Sequence, residues 1–204
     1  DKLRTVCMEP ATLMFYQQGF RSSLVRYIDR HKYLSKRINL DKAFLNDHLA
    51  MEASISGRYA TIDLSDASDS ISWKLVRQWF ANTPLFDALE CTRSTMYTYD
   101  GKVRWSEKFA PMGSALCFPI MCLVFSAMCE AAIVDSGGRP YNSNYRVYGD
   151  DIIIETEYAE ALMDRLEANG FVPNRKKSFY SITPHNFRES CGGEYLDGYA
   201  MAPI

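Results

Sequence analysis

Apolar positions recur along the chain with two different spacings, which predict both helices and strands. Segments with helical spacing carry an apolar face or are apolar throughout. We predict helices over residues 11–33, 41–54, 114–134 and 156–169, and a further helix after the polar run 65–70 that carries the apolar residues from Ile71 to Trp79. Asp41 is placed to cap the second helix, and Gly170 to end the helix that begins at 156.

Short β-rich segments bounded by turn residues lie between these helices. They predict strands at 59–63 and 177–181 and hairpins at 95–105, 145–155 and 187–199. The hairpins are expected to turn at Asp100-Gly101, Gly149-Asp150-Asp151 and Gly192-Gly193. In chain order the elements approximate a split βαβ (ferredoxin-like) arrangement, so we expect an α+β fold with one antiparallel sheet backed by helices.

Composition and charge narrow the class of protein. Hydrophobic residues make up 47% and charged residues 24% of 204, which is typical of a globular domain. The formal net charge of -2 counts against a strongly basic nucleic-acid-binding module. The charge is uneven, +4 over residues 1–60 and -6 over residues 61–204. This suits a phosphate-binding surface beside a cation site, or it reflects ordinary solvated faces.

Three further sequence features concern the environment of the chain. The six cysteines lack metal-binding spacing and are expected to be reduced core thiols of a cytosolic protein. The uncharged stretch 109–129 is long enough to span a membrane, but Pro111, Gly113 and Pro119 interrupt its first half, so we predict a buried core helix. Because the chain begins at Asp1 and ends at Ile204, we expect both ends to be cut from a longer polypeptide.

The string Tyr148-Gly149-Asp150-Asp151 carries the clearest chemistry. A plain turn needs one Asp and one Gly, so it does not account for a second adjacent carboxylate, which repels the first. A Mg²⁺ ion is the natural partner, since it binds hard carboxylate oxygens. Asp63, at the end of an apolar strand, is the candidate for a further ligand, with helix capping as its ordinary alternative. Two metal ions so held would clamp the attacking and leaving oxygens of a phosphoryl displacement.

Several strings around these carboxylates occur in the order of polymerase motifs: Asp63–Ser72, the helix after Pro111-Met112-Gly113, Tyr148–Asp151, Asn174–Lys177 and Phe187–Gly192. Together they resemble the RNA-directed RNA polymerase (replicase β subunit) of leviviruses, the positive-strand RNA bacteriophages of the Q-beta type. The resemblance spans nearly the whole chain. It implies a right-hand polymerase palm over 45–182, with part of the fingers at 1–44 and a motif E hairpin and the start of the thumb at 183–204.

The resemblance also implies roles for individual positions. Asp63 and Asp150 would hold two Mg²⁺ ions, which Mn²⁺ can replace, with Asp151 as a secondary ligand and the carbonyl of Leu64 as a further contact. Other matching residues would bind the nucleotide: Lys2, Arg4, Ser68, Asp69, Gly113, Ser114, Lys176 and Lys177. Among them, Lys2 and Arg4 would grip the triphosphate, Ser68 or Asp69 would read the ribose 2′-hydroxyl, and Lys176 or Lys177 would protonate pyrophosphate. Arg188 would contact the RNA primer strand.

Ordinary structural roles remain open for most of these positions. Lys2 and Arg4 can belong to a solvated terminus, and Ser68 or Asp69 can cap a helix. Lys176 and Lys177 can form a basic strand edge, and Arg188 can pair with Glu189 or Glu194.

The function implied is template-directed transfer of a nucleoside monophosphate from an NTP to an RNA 3′-hydroxyl in the cytoplasm of an infected bacterium. The implied partners are template and nascent RNA, NTPs, and host translation elongation factors with a ribosomal protein, without a membrane. A reverse transcriptase shares the Tyr-x-Asp-Asp hairpin, but Gly149 and the polar run 65–70 favour RNA synthesis. A non-catalytic RNA-binding or capsid-associated module would be expected to be basic. We expect this segment by itself to polymerise poorly, because much of the fingers and thumb lies outside it.

Overall fold

The computed structural model describes residues 6–141, 144–181 and 185–201, and within them the fold is α+β. The α-helices of the described residues are α1 (Ala11–Arg30), α2 (Phe44–Ser56), α3 (Ala67–Ser70), α4 (Trp73–Phe80), α5 (Leu85–Thr92), α6 (Cys117–Asp135) and α7 (Ala159–Ala168). The strands are β1 (Tyr59–Ile62), β2 (Leu64–Ser65), β3 (Met96–Tyr99), β4 (Lys102–Trp105), β5 (Tyr145–Tyr148), β6 (Asp151–Glu155), β7 (Val172–Pro173), β8 (Phe187–Ser190), β9 (Gly193–Leu196) and β10 (Tyr199–Ala200). Short 3₁₀ turns at Leu34–Lys36 and Thr156–Tyr158 precede α2 and α7.

The chain divides into two compact units, each made of two stretches of sequence. The first unit comprises Asp1–Tyr27 and Asp66–Met121, and the second comprises Ile28–Ser65 and Cys122–Ile204. Each unit is described by itself below.

A three-stranded antiparallel sheet forms the centre of the second unit, in the order β1-β6-β5. The apolar run Ile152–Ile154 is fully buried, as its unbroken hydrophobicity predicts for a strand covered on both faces. On one face, Ala50 and Ala53 of α2 pack in a cluster with Tyr59 and Ile153. Burial of these apolar side chains fixes which residues of β1 and β6 face each side of the sheet.

The hairpin β8-β9 packs against α2 in the same unit and is tied to it by side-chain hydrogen bonds. The Tyr195 hydroxyl donates to Asp47 Oδ1 at 2.7 Å, and Gly198 N–H donates to Ser54 Oγ at 2.9 Å. Cys191 and Gly192 form its turn, with φ of 52° and 83°, as a two-residue type I′ turn requires. The predicted turn at Gly192-Gly193 is therefore wrong by one residue, since Gly193 already pairs with Ser190.

The first unit is held together by an aromatic stack and by a segment that runs beside the loop before α6. Trp73 stacks between Phe86 and Phe109, with ring centroids 5.6 and 6.3 Å away. Val6 forms a parallel bridge with Met112, and Cys7 N–H donates to the Met112 carbonyl at 2.9 Å. The N-terminal part of the described chain is thus fixed against residues 112–113.

Most of the predicted elements are confirmed, with shifted ends. The helix predicted over 11–33 ends at Arg30, and the hairpins formed by β3-β4, β5-β6 and β8-β9 lie where expected. Gly170, with φ of 86°, ends α7 as predicted, although α7 begins only at Ala159. The long apolar helix begins at Cys117, because residues 114–116 form a turn, and Pro119 fits in its first turn.

Two further local predictions are wrong. Asp41 does not cap α2, since Ala43 occupies the N-cap position without a side-chain hydrogen bond. The strand predicted at 177–181 is only a single bridge, in which Phe179 exchanges backbone hydrogen bonds with Thr61. The segment before it supplies the strand instead, because β7 pairs with β2. The sequence pattern also missed α5, which begins directly after Pro84.

By length and composition, the apolar helix α6 could cross a membrane. However, 67% of its most apolar stretch of 18 residues is buried inside the protein. Such burial is typical of the core helix that the proline and glycine pattern predicts. The six cysteines are free thiols, three of them buried in α6.

Candidate active site

The adjacent carboxylates Asp150 and Asp151 lie at the end of the buried hairpin β5-β6. Tyr148 pairs with Asp151, which leaves Gly149 and Asp150 as a two-residue turn instead of the three-residue loop expected. Gly149 has a φ of 65°, as the first central residue of a type II′ turn requires. Its N–H contacts Cys122 Sγ of α6 at 3.0 Å, which holds the turn in place. Asp150 is consequently exposed, whereas Asp151 is partly buried.

Strand register brings Asp63 next to this turn. Ile62, the last residue of β1, pairs with Ile152 of β6, so Asp63 and Asp151 are the next residues at the same end of these two antiparallel strands. Two carboxylates that are 88 positions apart in sequence thus meet at one end of the sheet.

Asp63 is oriented by the loop that follows β7. Asn174 Nδ2 donates to Asp63 Oδ2 at 2.9 Å, and Asn174 N–H donates to the Asp63 carbonyl at 2.9 Å. The N–H of Asp63 in turn donates to Ser178 Oγ at 3.1 Å. Backbone and side chain of Asp63 are therefore fixed together. The sequence pattern missed Asn174, although it is the first residue of the string Asn174–Lys177.

Asp151 is oriented by the turn of the β8-β9 hairpin. Its Oδ1 accepts hydrogen bonds from Cys191 N–H at 2.9 Å and from Ser190 Oγ at 3.2 Å. Burial raises the pKa of Asp151, the hydrogen bond from Cys191 N–H opposes that rise, and the charge of Asp150 adds to it. A nearby cation would stabilise the charged form of such a carboxylate.

Glu189 of β8 belongs to the same group of acids, which the sequence pattern did not indicate. Burial raises its pKa, Lys177 lowers it, and the charges of Glu194, Asp63 and Asp151 raise it again. Glu189 N–H donates to Thr61 Oγ1 at 3.5 Å, so Glu189 lies beside the strand that leads to Asp63. Negative charge is therefore concentrated at this end of the sheet, where Lys177 acts on Glu189.

The donor set fits a Mg²⁺ ion that shares its coordination with water and substrate. Among the residues that the structure describes, no three His, Cys, Asp or Glu side chains form a group that could hold a metal by themselves. Mg²⁺ is usually bound by one or two carboxylates together with waters and substrate phosphates, not by a protein cage. Asp63 and the Asp150-Asp151 pair meet that lesser requirement. Leu64, whose carbonyl the resemblance implicates, begins β2 and has a buried side chain.

Five of the other expected site residues fall into three groups. Lys2 and Arg4 lie outside the described residues. Lys176 and Lys177 are exposed in the turn after β7, and the strand-edge alternative for them is wrong because no strand forms there. Arg188 is 1% exposed and donates from Nε to the Tyr59 carbonyl at 2.7 Å. That placement joins β8 to β1 and does not support a contact with RNA.

Ser68, Asp69, Gly113 and Ser114 belong to the first unit. The N-cap position of α3 is Asp66, and α4 is capped by Ser72, whose Oγ accepts from Leu75 N–H at 3.1 Å. Capping is therefore not the role of Ser68 or Asp69. Asp69 forms an ion pair with Lys108 at 2.9 Å.

The loop at Gly113-Ser114 is held by Gln17, a buried residue that the sequence pattern did not single out. Gln17 Oε1 accepts from Ser114 Oγ and from Ala115 N–H, both at 3.1 Å. Its Nε2 donates to the Thr92 carbonyl at 2.8 Å, so both ends of the amide are used. A buried amide with every polar atom paired fixes the loop that leads into α6.

Comparison with known proteins identifies the group to which this sequence is similar. The family model described as RNA replicase, beta-chain, matches residues 2–204. The chain is 38% identical to the RNA-directed RNA polymerase subunit beta of Enterobacteria phage SP, over 98% of this chain and 33% of the relative. It is 36% identical to the RNA-directed RNA polymerase beta chain of Escherichia phage MS2, over 98% and 35%. Identity to the RNA-directed RNA polymerase subunit beta of Escherichia virus Qbeta is 35%, over 98% and 32%. The chain spans about a third of the length of these curated relatives.

Proposed function

Because this chain belongs to the RNA replicase beta-chain family, we propose that it is the catalytic palm segment of an RNA-directed RNA polymerase. The reaction proposed is template-directed transfer of a nucleoside monophosphate from an NTP to the 3′-hydroxyl of RNA, for replication of a phage genome inside an infected bacterium. The names of the relatives favour RNA synthesis over the reverse transcriptase alternative. The division into partial fingers (1–44), palm (45–182) and start of the thumb (183–204) is part of the same proposal.

One observation supports the proposal: the register that ends with Ile62 paired to Ile152 directs Asp63 and Asp151 to the same end of the sheet, where the turn of the hairpin carries Asp150. Asp63, Asp150 and Asp151 are the residues that would hold two Mg²⁺ ions. When bound, the metal pair would lower the pKa of the RNA 3′-hydroxyl and neutralise the departing pyrophosphate.

The protein's own residues would do the positioning. Asn174 holds the Asp63 carboxylate through Oδ2, and Cys191 N–H with Ser190 Oγ holds Asp151 through Oδ1. Each carboxylate thus has one oxygen committed to the protein, which fixes the direction of the other. Asp150 is exposed at the turn of the hairpin, so its carboxylate is open to a ligand. Preorganised ligands of this kind avoid a reorganisation cost during the reaction.

Lys177 is the better candidate for a proton donor to pyrophosphate. Lys177 N–H donates to the carbonyl of Asn174 at 2.9 Å, and Asn174 is the residue that binds the Asp63 carboxylate. An ammonium near developing negative charge can donate a proton to the leaving group. Lys177→Met would test this, since it should lower the extension rate, whereas Lys176→Met should leave the rate unchanged.

The central test compares Asp63→Asn and Asp150→Asn with Asp164→Asn. Asp164 is an exposed acid on α7 of the same unit and is the matched control. In the complete replicase chain, we expect each site variant to lower the rate of primer extension by about a thousandfold or more, because several kcal/mol of charge stabilisation is lost. The control should keep its rate.

A second readout separates metal binding from activity. Nucleotide-dependent binding of Mn²⁺, followed by electron paramagnetic resonance, should weaken in Asp63→Asn and Asp150→Asn and remain unchanged in Asp164→Asn. Equal Mn²⁺ binding by all three variants would refute the catalytic assignment. Host translation elongation factors and a ribosomal protein are partners that the proposal inherits from the resemblance, and co-purification of the complete chain from infected cells tests them.

A further inference from the structure

The hairpin β3-β4 of the first unit is exposed on every residue of both strands. Tyr99 is 67% exposed and Trp105 72% exposed, which is unusual for large aromatic side chains on paired strands. A two-stranded hairpin is at best marginally stable in water without packing. Its exposed side chains therefore need an explanation other than the fold of the unit.

Cross-strand register sorts these side chains into two different faces. Tyr97 pairs with Arg104, and Tyr99 pairs with Lys102, so one face carries two tyrosines and two cations. The opposite face carries Met96, Thr98, Val103 and Trp105 and has no charge. Neither Lys102 nor Arg104 has a carboxylate partner among the residues that the structure describes. The acidic residues nearest in sequence, Asp100 and Glu107, lie in the turn and beyond the strands.

The base of the hairpin is nevertheless fixed firmly to the unit. The Arg93 guanidinium donates to the carbonyls of Ser106 at 2.9 Å and Lys108 at 3.0 Å, and lies 4.5 Å from the ring centroid of Trp73. Ser106 N–H also donates to the Thr95 carbonyl at 2.8 Å. An anchored base with uncovered strands gives a projecting surface whose orientation is set before any ligand arrives.

We propose that the face formed by Tyr97, Tyr99, Lys102 and Arg104 binds single-stranded RNA. This face belongs to the first unit, whereas the candidate metal ligands belong to the second. The tyrosines are two positions apart on one strand, about 6.8 Å along the sheet, so each presents its ring on the same side. Aromatic rings that stack on bases, with cations that contact the backbone, form the usual platform for a single strand. The pairing of each ring with a cation across the strands gives the face the charge that complements a polyanion.

The identity of the polyanion rests on the proposed function, but the site itself rests on the register and exposure of the hairpin. Measuring RNA binding instead of RNA synthesis tests the binding site separately from the proposed function. The probe is a fluorescein-labelled oligouridylate of 20 nucleotides, with anisotropy recorded on the complete chain without NTP or divalent metal. Asp164→Asn, a variant of the exposed acid on α7, serves as the control and should bind the probe like the wild type.

Variants of the two faces give opposite expectations. Tyr97→Ala and Tyr99→Ala should each raise the Kd about fivefold or more, and the Phe variants should restore binding because they keep the stacking surface. Lys102→Gln with Arg104→Gln should reduce the slope of log K against log salt by about 1.4, since each phosphate contact of a single strand contributes about 0.7. Val103→Ala and Thr98→Ala, on the other face of the same strands, should leave both quantities unchanged.

Photocrosslinking supplies a readout that does not depend on total affinity. A probe with 4-thiouridine should crosslink to residues 96–105, and the crosslink should disappear in Tyr97→Ala with Tyr99→Ala while circular dichroism stays unchanged. The proposal is wrong if the crosslink maps elsewhere or if the tyrosine and cation variants keep the wild-type Kd and salt slope. It is also wrong if only substitutions at Val103 and Trp105, on the opposite face, change the stability of the complete chain. That result would identify the opposite face as a contact with protein.

Discussion

Replacement of Gly113 by alanine should destabilise the first unit more than any ordinary glycine substitution in it. Gly113 has a φ of 118°, which L-residues rarely adopt, and a Cβ at this position would lie 2.1 Å from the carbonyl oxygen of Cys7. That oxygen belongs to the backbone that pairs with Met112, so it cannot turn away as a side chain does. The substitution must therefore displace one of the two segments.

The magnitude follows from two contributions. A non-glycine residue in such a conformation costs about 1–3 kcal/mol. Separation of the segments removes the hydrogen bond from Cys7 N–H to the Met112 carbonyl, which contributes about 0.5–1.5 kcal/mol. We expect Gly113→Ala to lower the free energy of unfolding by about 3 kcal/mol, which corresponds to a fall in Tm of about 6–12 °C for a chain of this size.

Two other glycines of the same unit are matched controls. Gly101 has a φ of 68° but open space around its Cβ position, so Gly101→Ala should cost only about 1–2 kcal/mol for the left-handed conformation. Gly19, within α1, has neither a positive φ nor a neighbour within 4 Å. Gly19→Ala should therefore stabilise the unit by about 0.5–1 kcal/mol.

Urea unfolding followed by tryptophan fluorescence measures this series well, because Trp73, Trp79 and Trp105 all lie in the first unit. The expected order of stability is Gly19→Ala, wild type, Gly101→Ala, Gly113→Ala. If Gly113→Ala costs no more than Gly101→Ala, the close approach of Cys7 to Gly113 is not a feature of the folded protein and the reasoning fails.

Three further predictions concern the second unit. Asn174→Ala should slow primer extension tenfold or more and raise the Mg²⁺ concentration at half-maximal rate, because a hydrogen bond to a carboxylate is lost; the exposed neighbour Arg175→Ala should change neither, and equal effects would contradict a positioning role for Asn174. Glu189→Gln should raise Tm at about pH 8 but not at about pH 3.5. Burial first, and then nearby acids, raise the pKa of Glu189, so the stability of the native protein falls as pH rises through that pKa. The same difference in Tm at both pH values would contradict this. The pKa of Glu155 is lowered: burial opposes the shift, but hydrogen bonds from Tyr141, Arg58 and Asn144 outweigh it. Stability that is present at neutral pH is thus lost as pH falls through the pKa of Glu155 in the folded protein. Glu155→Gln should therefore be less stable than the wild type near pH 7, and its Tm should change less as the solution is acidified. Parallel Tm profiles of the variant and the wild type would disprove this.

The sequence by itself determined the elements whose cause is local. The turn at Asp100-Gly101 follows from two residues that tolerate positive φ between β-rich runs. Gly149 likewise locates the second turn, although the sequence pattern made that turn one residue too long. The core helix α6 follows from an uncharged apolar run interrupted by prolines only near its start. The sequence also indicated Asp63 and Asp150-Asp151 as candidate metal ligands, because each lies at the end of an apolar strand.

Tertiary structure alone decided which residues support those carboxylates. Asn174 reaches Asp63 across 111 positions of sequence, and Cys191 reaches Asp151 across 40, so no local pattern contains either contact. Glu189 is one acid among 25 until the packing of β8 brings it within range of Asp63 and Asp151. The strand expected at 177–181 failed for the same reason: β-propensity gives a segment the ability to pair, but the partner is chosen by long-range burial, and β2 pairs with β7. Local chemistry sets the conformation of a few adjacent residues, whereas the geometry of a site depends on which distant segments share a buried surface.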